Sequence, residues 1–190
     1  MIISNLSKKF GKKIIFDKFD LTIAEKGVTV LSGNSGCGKT TLLRMIAGLD
    51  KKYSGKIDHG HIKRISYVFQ EPRLLPNCTA LENVSLVLGN NENAKLTATE
   101  WLTKVGLEND LNTYPDELSG GMKQRVAIAR AFAYDGDILL LDEAFNGIDA
   151  ERAKSIIFDM IAPFAKYKPC IIVTHTPELL TGLDYTLIEL

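Results

Sequence analysis

The run Gly33-Asn34-Ser35-Gly36-Cys37-Gly38-Lys39-Thr40 constrains this chain more than any other, because it fits the spacing G-x-x-x-x-G-K-[ST]. Before it stands Val28-Thr29-Val30-Leu31, an almost wholly apolar run of the kind required by a strand covered on both faces. After it, Lys39 to Ala47 has helical spacing, and Gly48 falls where a helix C-cap belongs. Strand, glycine-rich loop and helix in that order make a phosphate cradle. Backbone N–H groups of the loop converge on phosphate oxygens, and the helix N-terminus adds partial positive charge. Lys39 is placed to reach the outer phosphates, and the Thr40 hydroxyl to bind Mg2+.

A second run complements the first. Ile138-Leu139-Leu140-Leu141 is followed by Asp142 and Glu143. An apolar strand ending in two carboxylates puts them at the carboxyl edge of a sheet, where open α/β sheets bind ligands. Asp142 suits a Mg2+ shell, and Glu143 suits a general base that orients and deprotonates water. A third run, Leu118-Ser119-Gly120-Gly121-Met122, precedes the helix-forming stretch Lys123 to Ala131. Ser119 is a good N-cap, and two glycines allow close backbone approach. This is a second helix N-terminus fit for an anion, far in sequence from the first. One chain with two anion sites needs an explanation.

Strand-like runs recur at Ile14–Phe16, Leu21–Ile23, Ile65–Phe69 and Cys170–Val173, with a turn expected at Ser54-Gly55. From about residue 79 to 134 the period is helical, with Leu81, Val84, Leu88 and then Trp101, Leu102, Val105 at helical spacings around the polar loop Asn90–Asn93. Ala150 to Lys166 reads as a helix kinked by Pro163. Strands separated by helices predict an α/β fold with a largely parallel sheet. The expected organisation is a single domain, residues 1–190, with a core at about 1–78 and 135–190 and a helical subdomain at about 79–134.

Composition excludes several classes. Three cysteines, Cys37, Cys78 and Cys170, without C-x-x-C spacing give neither a disulfide framework nor a zinc site. No apolar run approaches the ~18 residues that span a bilayer, and residues 1–10 lack a signal-peptide pattern. The chain reads as cytosolic, so any membrane role needs a partner. Lys+Arg and Asp+Glu are equal at 23 each. The balance hides a split: residues 1–64 carry 13 basic and 5 acidic residues, net +8, and the remainder 10 and 18, net −8. A uniformly basic nucleic-acid binder is disfavoured.

Taken together, these runs resemble the ATP-binding cassette (ABC) ATPases, across nearly the whole chain. The family's Walker A corresponds to Gly33–Thr41, Walker B to Ile138–Asp142 followed by the catalytic glutamate at Glu143, and the L-S-G-G-Q signature to Leu118–Met122. The Q-loop glutamine corresponds to Gln70, the switch histidine to His175, the D-loop aspartate to Asp149 and the adenine-stacking aromatic to Phe10, with Tyr53 and Tyr67 as fallbacks. There are departures. Met122 replaces the signature Gln, Ala144 replaces the usual Pro, and the D-loop reads Phe145-Asn146-Gly147-Ile148-Asp149 where S-A-L-D is usual. The segment between Lys39 and Gln70 is short, which implies a trimmed antiparallel β lobe.

The resemblance implies a P-loop NTPase fold of ABC type: a mostly parallel core, a small antiparallel β lobe and an inserted helical subdomain. It implies two cassettes, most simply a homodimer, paired head to tail with two ATP molecules between them. Adenine would stack on Phe10, and the phosphates would lie on Gly33, Asn34, Ser35, Gly36, Cys37, Gly38, Lys39, Thr40 and Thr41. Mg2+ would sit by Thr40, Gln70 and Asp142. Ser119, Gly120 and Gly121 would come from the partner cassette. Glu143 and His175, with Lys39 and Gln70, would carry catalysis. The expected role is the ATPase subunit of a transporter, peripheral at the inner face of the cell membrane through integral-membrane permease subunits, with no nucleic acid involved. Glu71–Val84 resembles importers of nitrate, sulfonate and taurine type. The alternatives are a soluble, non-transport ABC ATPase and an ATP-gated dimerisation module. In the head-to-tail pair the +8 and −8 regions would face each other.

Overall fold

The computed structural model describes residues 1–190. In chain order the elements are β1 (Ile2–Phe10), β2 (Lys13–Thr22), β3 (Gly27–Ser32), α1 (Lys39–Ile46), β4 (Ser54–Asp58) and β5 (Ile65–Val68). Then come α2 (Ala80–Ser85), α3 (Ala94–Lys104), α4 (Gly120–Tyr134), β6 (Ile138–Asp142), α5 (Ala150–Ile156), α6 (Ala162–Ala165), β7 (Pro169–Val173) and β8 (Tyr185–Glu189). Five strands form a parallel sheet in the order β5-β6-β7-β3-β8, and three form an antiparallel sheet in the order β2-β1-β4.

The parallel sheet is covered on both faces, and β6 and β7 are buried along their whole length. Side chains alternate across the pleat. Ile138, Leu140, Ile171 and Val173 pack with Leu42, Leu43 and Ile46 of α1 and with Ile3, Leu6 and Phe16 of the antiparallel sheet. Leu139, Leu141, Cys170 and Ile172 pack on the other face with Val126 and Ile128 of α4 and Ala153 and Ile156 of α5. Each buried Val, Leu or Ile among them contributes about 1.5–3 kcal/mol by leaving water. Helices α2, α3 and α4 pack on one another, and α4 also packs on β5, so the helical region shares the core of one sheet face.

Several elements differ from the sequence expectation. The runs at Ile14–Phe16 and Leu21–Ile23 belong to one strand, β2. Ser54-Gly55 opens strand β4, not a turn; glycine is required at position 55, where φ is 95° and a Cβ would overlap the Asn5 carbonyl of β1. The helix around Pro163 is not uniform: Ile157–Ile161 are π-helical, and Pro163 stands in the first turn of α6, where a missing N–H costs little. The segment after Gln70 is pinned by buried Asn83, whose side chain accepts from Leu75 N–H at 2.7 Å and donates to the carbonyls of Leu75, Cys78 and Thr79.

Candidate nucleotide site

Neighbouring strands β5, β6, β7 and β3 run parallel, so their carboxyl ends share one edge. Gln70 follows β5, Asp142 ends β6 and Glu143 follows it, His175 lies just past β7, and the phosphate loop follows β3. A cleft of about 400 Å³ at this edge is lined by Phe10, Lys13, Ile15, Ser35, Gly36, Gly38, Lys39, Thr40, Thr41, Gln70, Glu143 and His175.

The phosphate loop owes its shape to glycine. Gly33, Gly36 and Gly38 all have positive φ, and a Cβ on Gly38 would lie 2.6 Å from Ile15 Cγ2 and 2.8 Å from Phe16 Cζ. The β1–β2 hairpin therefore leans directly on the loop, and Lys13 Nζ donates to the Gly36 carbonyl at 3.3 Å. Gly33, Asn34 and Cys37 do not line the cleft. They hold Lys39 from behind: its ammonium donates to the Gly33 carbonyl at 2.6 Å and the Asn34 carbonyl at 3.1 Å, with Cys37 Sγ at 3.8 Å.

Thr40 Oγ1 donates to Asp142 Oδ1 at 2.9 Å, and the Tyr67 hydroxyl donates to Asp142 Oδ2 at 3.1 Å. Burial pushes the Asp142 carboxyl above the ordinary carboxylate range, while the two hydroxyls pull it back. Tyr67 is itself pushed up by burial and by Asp142. This removes Tyr67 as an adenine platform, since its hydroxyl faces the carboxylate. Tyr53 lines a separate hollow with Lys9, Phe16 and Asp17. Phe10 is the aromatic that reaches the cleft, half exposed at the hairpin tip, with Lys8 Nζ 4.6 Å from its ring centroid.

Glu143 is the hub of the polar contacts. Its backbone sits at φ 50°, a left-handed conformation that costs a non-glycine residue about 1 kcal/mol or more, and its N–H donates to the Val173 carbonyl at 2.9 Å. Its carboxylate meets His175 Nε2 at 3.0 Å, Gln70 Nε2 at 3.3 Å and Asn146 Nδ2 at 2.8 Å. A negative group thus faces a cationic, donor-rich loop across a polar cleft, which is what in-line attack of water on a phosphoryl group needs.

Ser119, Gly120 and Gly121 do not line this cleft. Ser119 caps α4, accepting from Met122 N–H at 3.2 Å, and stands exposed with Gly120. Gly121 packs against the D-loop backbone, where a Cβ would overlap the Gly147 carbonyl oxygen. Met122 turns into the apolar core. Asp149 caps α5, accepting from Arg152 N–H at 2.8 Å. Lys13 and Asn146 are site contacts that motif spacing does not flag. Asn146 lies at a recognised D-loop departure, and that departure is the only signal that could have found it.

Comparison with known proteins agrees with this geometry. The profile described as ABC transporter matches residues 16–146. The aliphatic sulfonates import ATP-binding protein SsuB 2 of Paraburkholderia xenovorans (strain LB400) is 42% identical over 192 residues, covering 98% of this chain and 75% of that protein. SsuB 1 of Pseudomonas syringae pv. tomato (strain ATCC BAA-871 / DC3000) is 44% identical over 177 residues, covering 91% of this chain and 63% of that protein. The chain thus spans three quarters of the length of the first relative and less than two thirds of the second. Among solved structures, the dimeric post-hydrolysis state of the ATP-binding cassette MJ0796, bound to ADP and Pi, has a TM-score of 0.85 at 30% identity, covering 100% of this chain and 93% of that one. With its phosphate loop, its paired carboxylates and its separated signature helix, the chain belongs to the ABC transporter family and is one of its ATP-binding, ATP-hydrolysing cassettes.

Proposed function

We propose that this cassette pairs head to tail with a second copy, hydrolyses Mg-ATP in the two shared sites and so energises a separate membrane permease. The observation that carries the reading is the division of the site's groups between two places. Lys39, Gln70, Asp142, Glu143 and His175 gather round one cleft or its floor, whereas the N-terminus of α4 faces solvent elsewhere. A second chain supplying Ser119, Gly120 and Gly121 completes each cleft. The solved MJ0796 cassettes are dimers.

The chain's own residues divide the work. Phe10 offers the adenine a face, and the loop N–H groups with Lys39 hold the phosphates. Glu143 holds a water for attack and takes its proton, and His175 passes from the Glu143 carboxylate to the γ-phosphate. A positioned base supplies about 10²–10⁴-fold. Thr40, Gln70 and Asp142 line one hollow of about 190 Å³, and their oxygens are the hard donors that suit Mg2+. When bound there, Mg2+ would neutralise charge developing on the phosphates. The buried Asp142 carboxyl, held up by desolvation, supports such a cation as its counter-charge.

The permease side rests on a different feature. A mostly apolar hollow of about 290 Å³, lined by Ala47, Leu49, Phe69, Val87, Arg130 and Tyr134, borders the segment after Gln70. It suits a short helix from a membrane partner. No helix of this chain is long and apolar enough to cross a membrane itself. We place the cassette at the inner face of the cell membrane, in an importer, and the names of the relatives make sulfonates the first cargo to assay.

Complementation tests the shared site. Lys39→Ala and Ser119→Arg chains should each be inactive, and their mixture should regain ATP hydrolysis or ATP trapping, because the mixed pair holds one intact site. A mixture as inactive as its components sinks the head-to-tail reading. Co-purification of the wild-type chain from membranes with an integral partner tests the permease.

A further inference from the structure

We infer that Asn146 is a positioning residue for Glu143, fixing one carboxylate oxygen so that the other is free for water. The inference rests on the reading of Glu143 as the base. Three side chains meet the carboxylate, two of them, Gln70 and Asn146, as hydrogen-bond donors, and they differ in permanence. His175 is about half exposed and meets Oε1; Gln70 is exposed, sits on another strand's end and reaches Oε2 at 3.3 Å. Both are also the groups assigned above to γ-phosphate and Mg2+, so both leave Glu143 during turnover. Asn146 donates to Oε2 at 2.8 Å, the shortest of the three contacts, and has no other hydrogen-bond partner for its amide.

The backbone holds Asn146 in place. Its N–H donates to the Glu143 carbonyl at 3.2 Å, and Ile148 N–H donates to the Phe145 carbonyl at 3.1 Å, so residues 143–148 form two successive turns. Buried Ala144 and Phe145 anchor those turns in the core, and Gly147 abuts Gly121 of the signature helix. The amide therefore moves with Glu143 and with the start of α4. Without it, a carboxylate on a strained left-handed backbone loses the only donor that remains through turnover, and its Oε1 lone pair is no longer aimed.

The test compares Asn146→Ala and the near-isosteric Asn146→Leu, which fills the space but cannot donate, with wild type in steady-state ATP hydrolysis. The expected result is a kcat lower by roughly 10- to 100-fold, the size of a lost hydrogen bond to a charged group, with KM for ATP unchanged. A double-mutant cycle supplies the second readout: Asn146→Ala should cost nothing further in the Glu143→Gln chain. ATP-driven dimerisation of the Glu143→Gln/Asn146→Ala chain, followed by gel filtration, shows whether the D-loop still folds. Unchanged kcat, an equal rise in KM, lost dimerisation, or a further loss in the Glu143→Gln background each overturns the inference. If Glu143→Gln itself turns over normally, the assignment of the base has failed instead.

Discussion

Gly120 and Gly121 stand side by side in the signature, yet their surroundings predict opposite effects on the free chain. Both have φ below zero, so alanine strains neither backbone. A Cβ on Gly120 meets nothing within 4 Å. A Cβ on Gly121 overlaps the Gly147 oxygen and lies 3.0 Å from its carbonyl carbon, so α4 and the D-loop must part. Forcing a methyl into packed backbone costs about 1–3 kcal/mol, and the better helix propensity of alanine returns up to ~1 kcal/mol. Gly121→Ala should thus lose up to about 2 kcal/mol. At about 2–4 °C per kcal/mol for a chain of this size, its melting temperature falls by up to about 8 °C. Gly120→Ala should hold or gain slightly. Differential scanning calorimetry without nucleotide reads both. ATP-driven dimerisation in a Glu143→Gln background should fail for both, but for different reasons: the Gly120 methyl projects into open space in front of α4, and the Gly121 methyl pushes α4 off the D-loop. A Gly121→Ala chain melting at or above Gly120→Ala would refute the packing argument.

Lys39→Ala should abolish nucleotide binding in a fluorescent ATP titration, whereas Glu143→Gln should keep binding, lose turnover by ~10²-fold or more and accumulate as a dimer. Asp142→Asn should raise the melting temperature at pH 7 without Mg2+ while destroying hydrolysis. The sign follows from the raised Asp142 carboxyl: its ionisation opposes folding, so the gain is full above its folded titration range and absent below about pH 3.8, where both side chains are neutral. Lys8 is buried against Asp50 at 2.6 Å and the Lys52 carbonyl at 2.8 Å. Asp50→Ala, which leaves that buried ammonium without a counter-charge and with only the Lys52 carbonyl, should cost about 3 kcal/mol in urea denaturation, and Lys8→Met much less. Lys8 holds the Asp50 carboxyl below its usual range, so this ion pair's contribution fades only as pH falls below about 4.

The phosphate loop, the terminal carboxylates and the capped signature helix were legible because each is a local pattern: glycines where φ must be positive, acids after an apolar run, Ser at an N-cap. Gln70 and His175 became legible only through the family frame, since a polar residue at a strand end carries no local signal. Strand β1 escaped because its pattern is broken. Asn5 takes φ 51°, the register slips between Ile3 and Leu6 and again before Lys8, and Lys8 is buried where a strand pattern expects an apolar residue. Strands β4 and β8 escaped because mostly exposed strands need no alternation. The Asn146 contact was illegible because it depends on the left-handed turn at Glu143, and a sequence gives no reason for a glutamate to adopt that conformation.

The N–H of Glu143 closes one more rung of the ladder between β6 and β7, on the carbonyl of Val173. His175 follows two residues later. The two side chains that meet at 3.0 Å therefore ride on a single stitched frame. Sliding or tilting that frame carries both together and cannot separate them. Rotation about side-chain bonds parts them, a motion of picoseconds to nanoseconds at an exposed histidine. The contact between Glu143 and His175 then acts as a hinge pin: fixed in its bearings, free to turn.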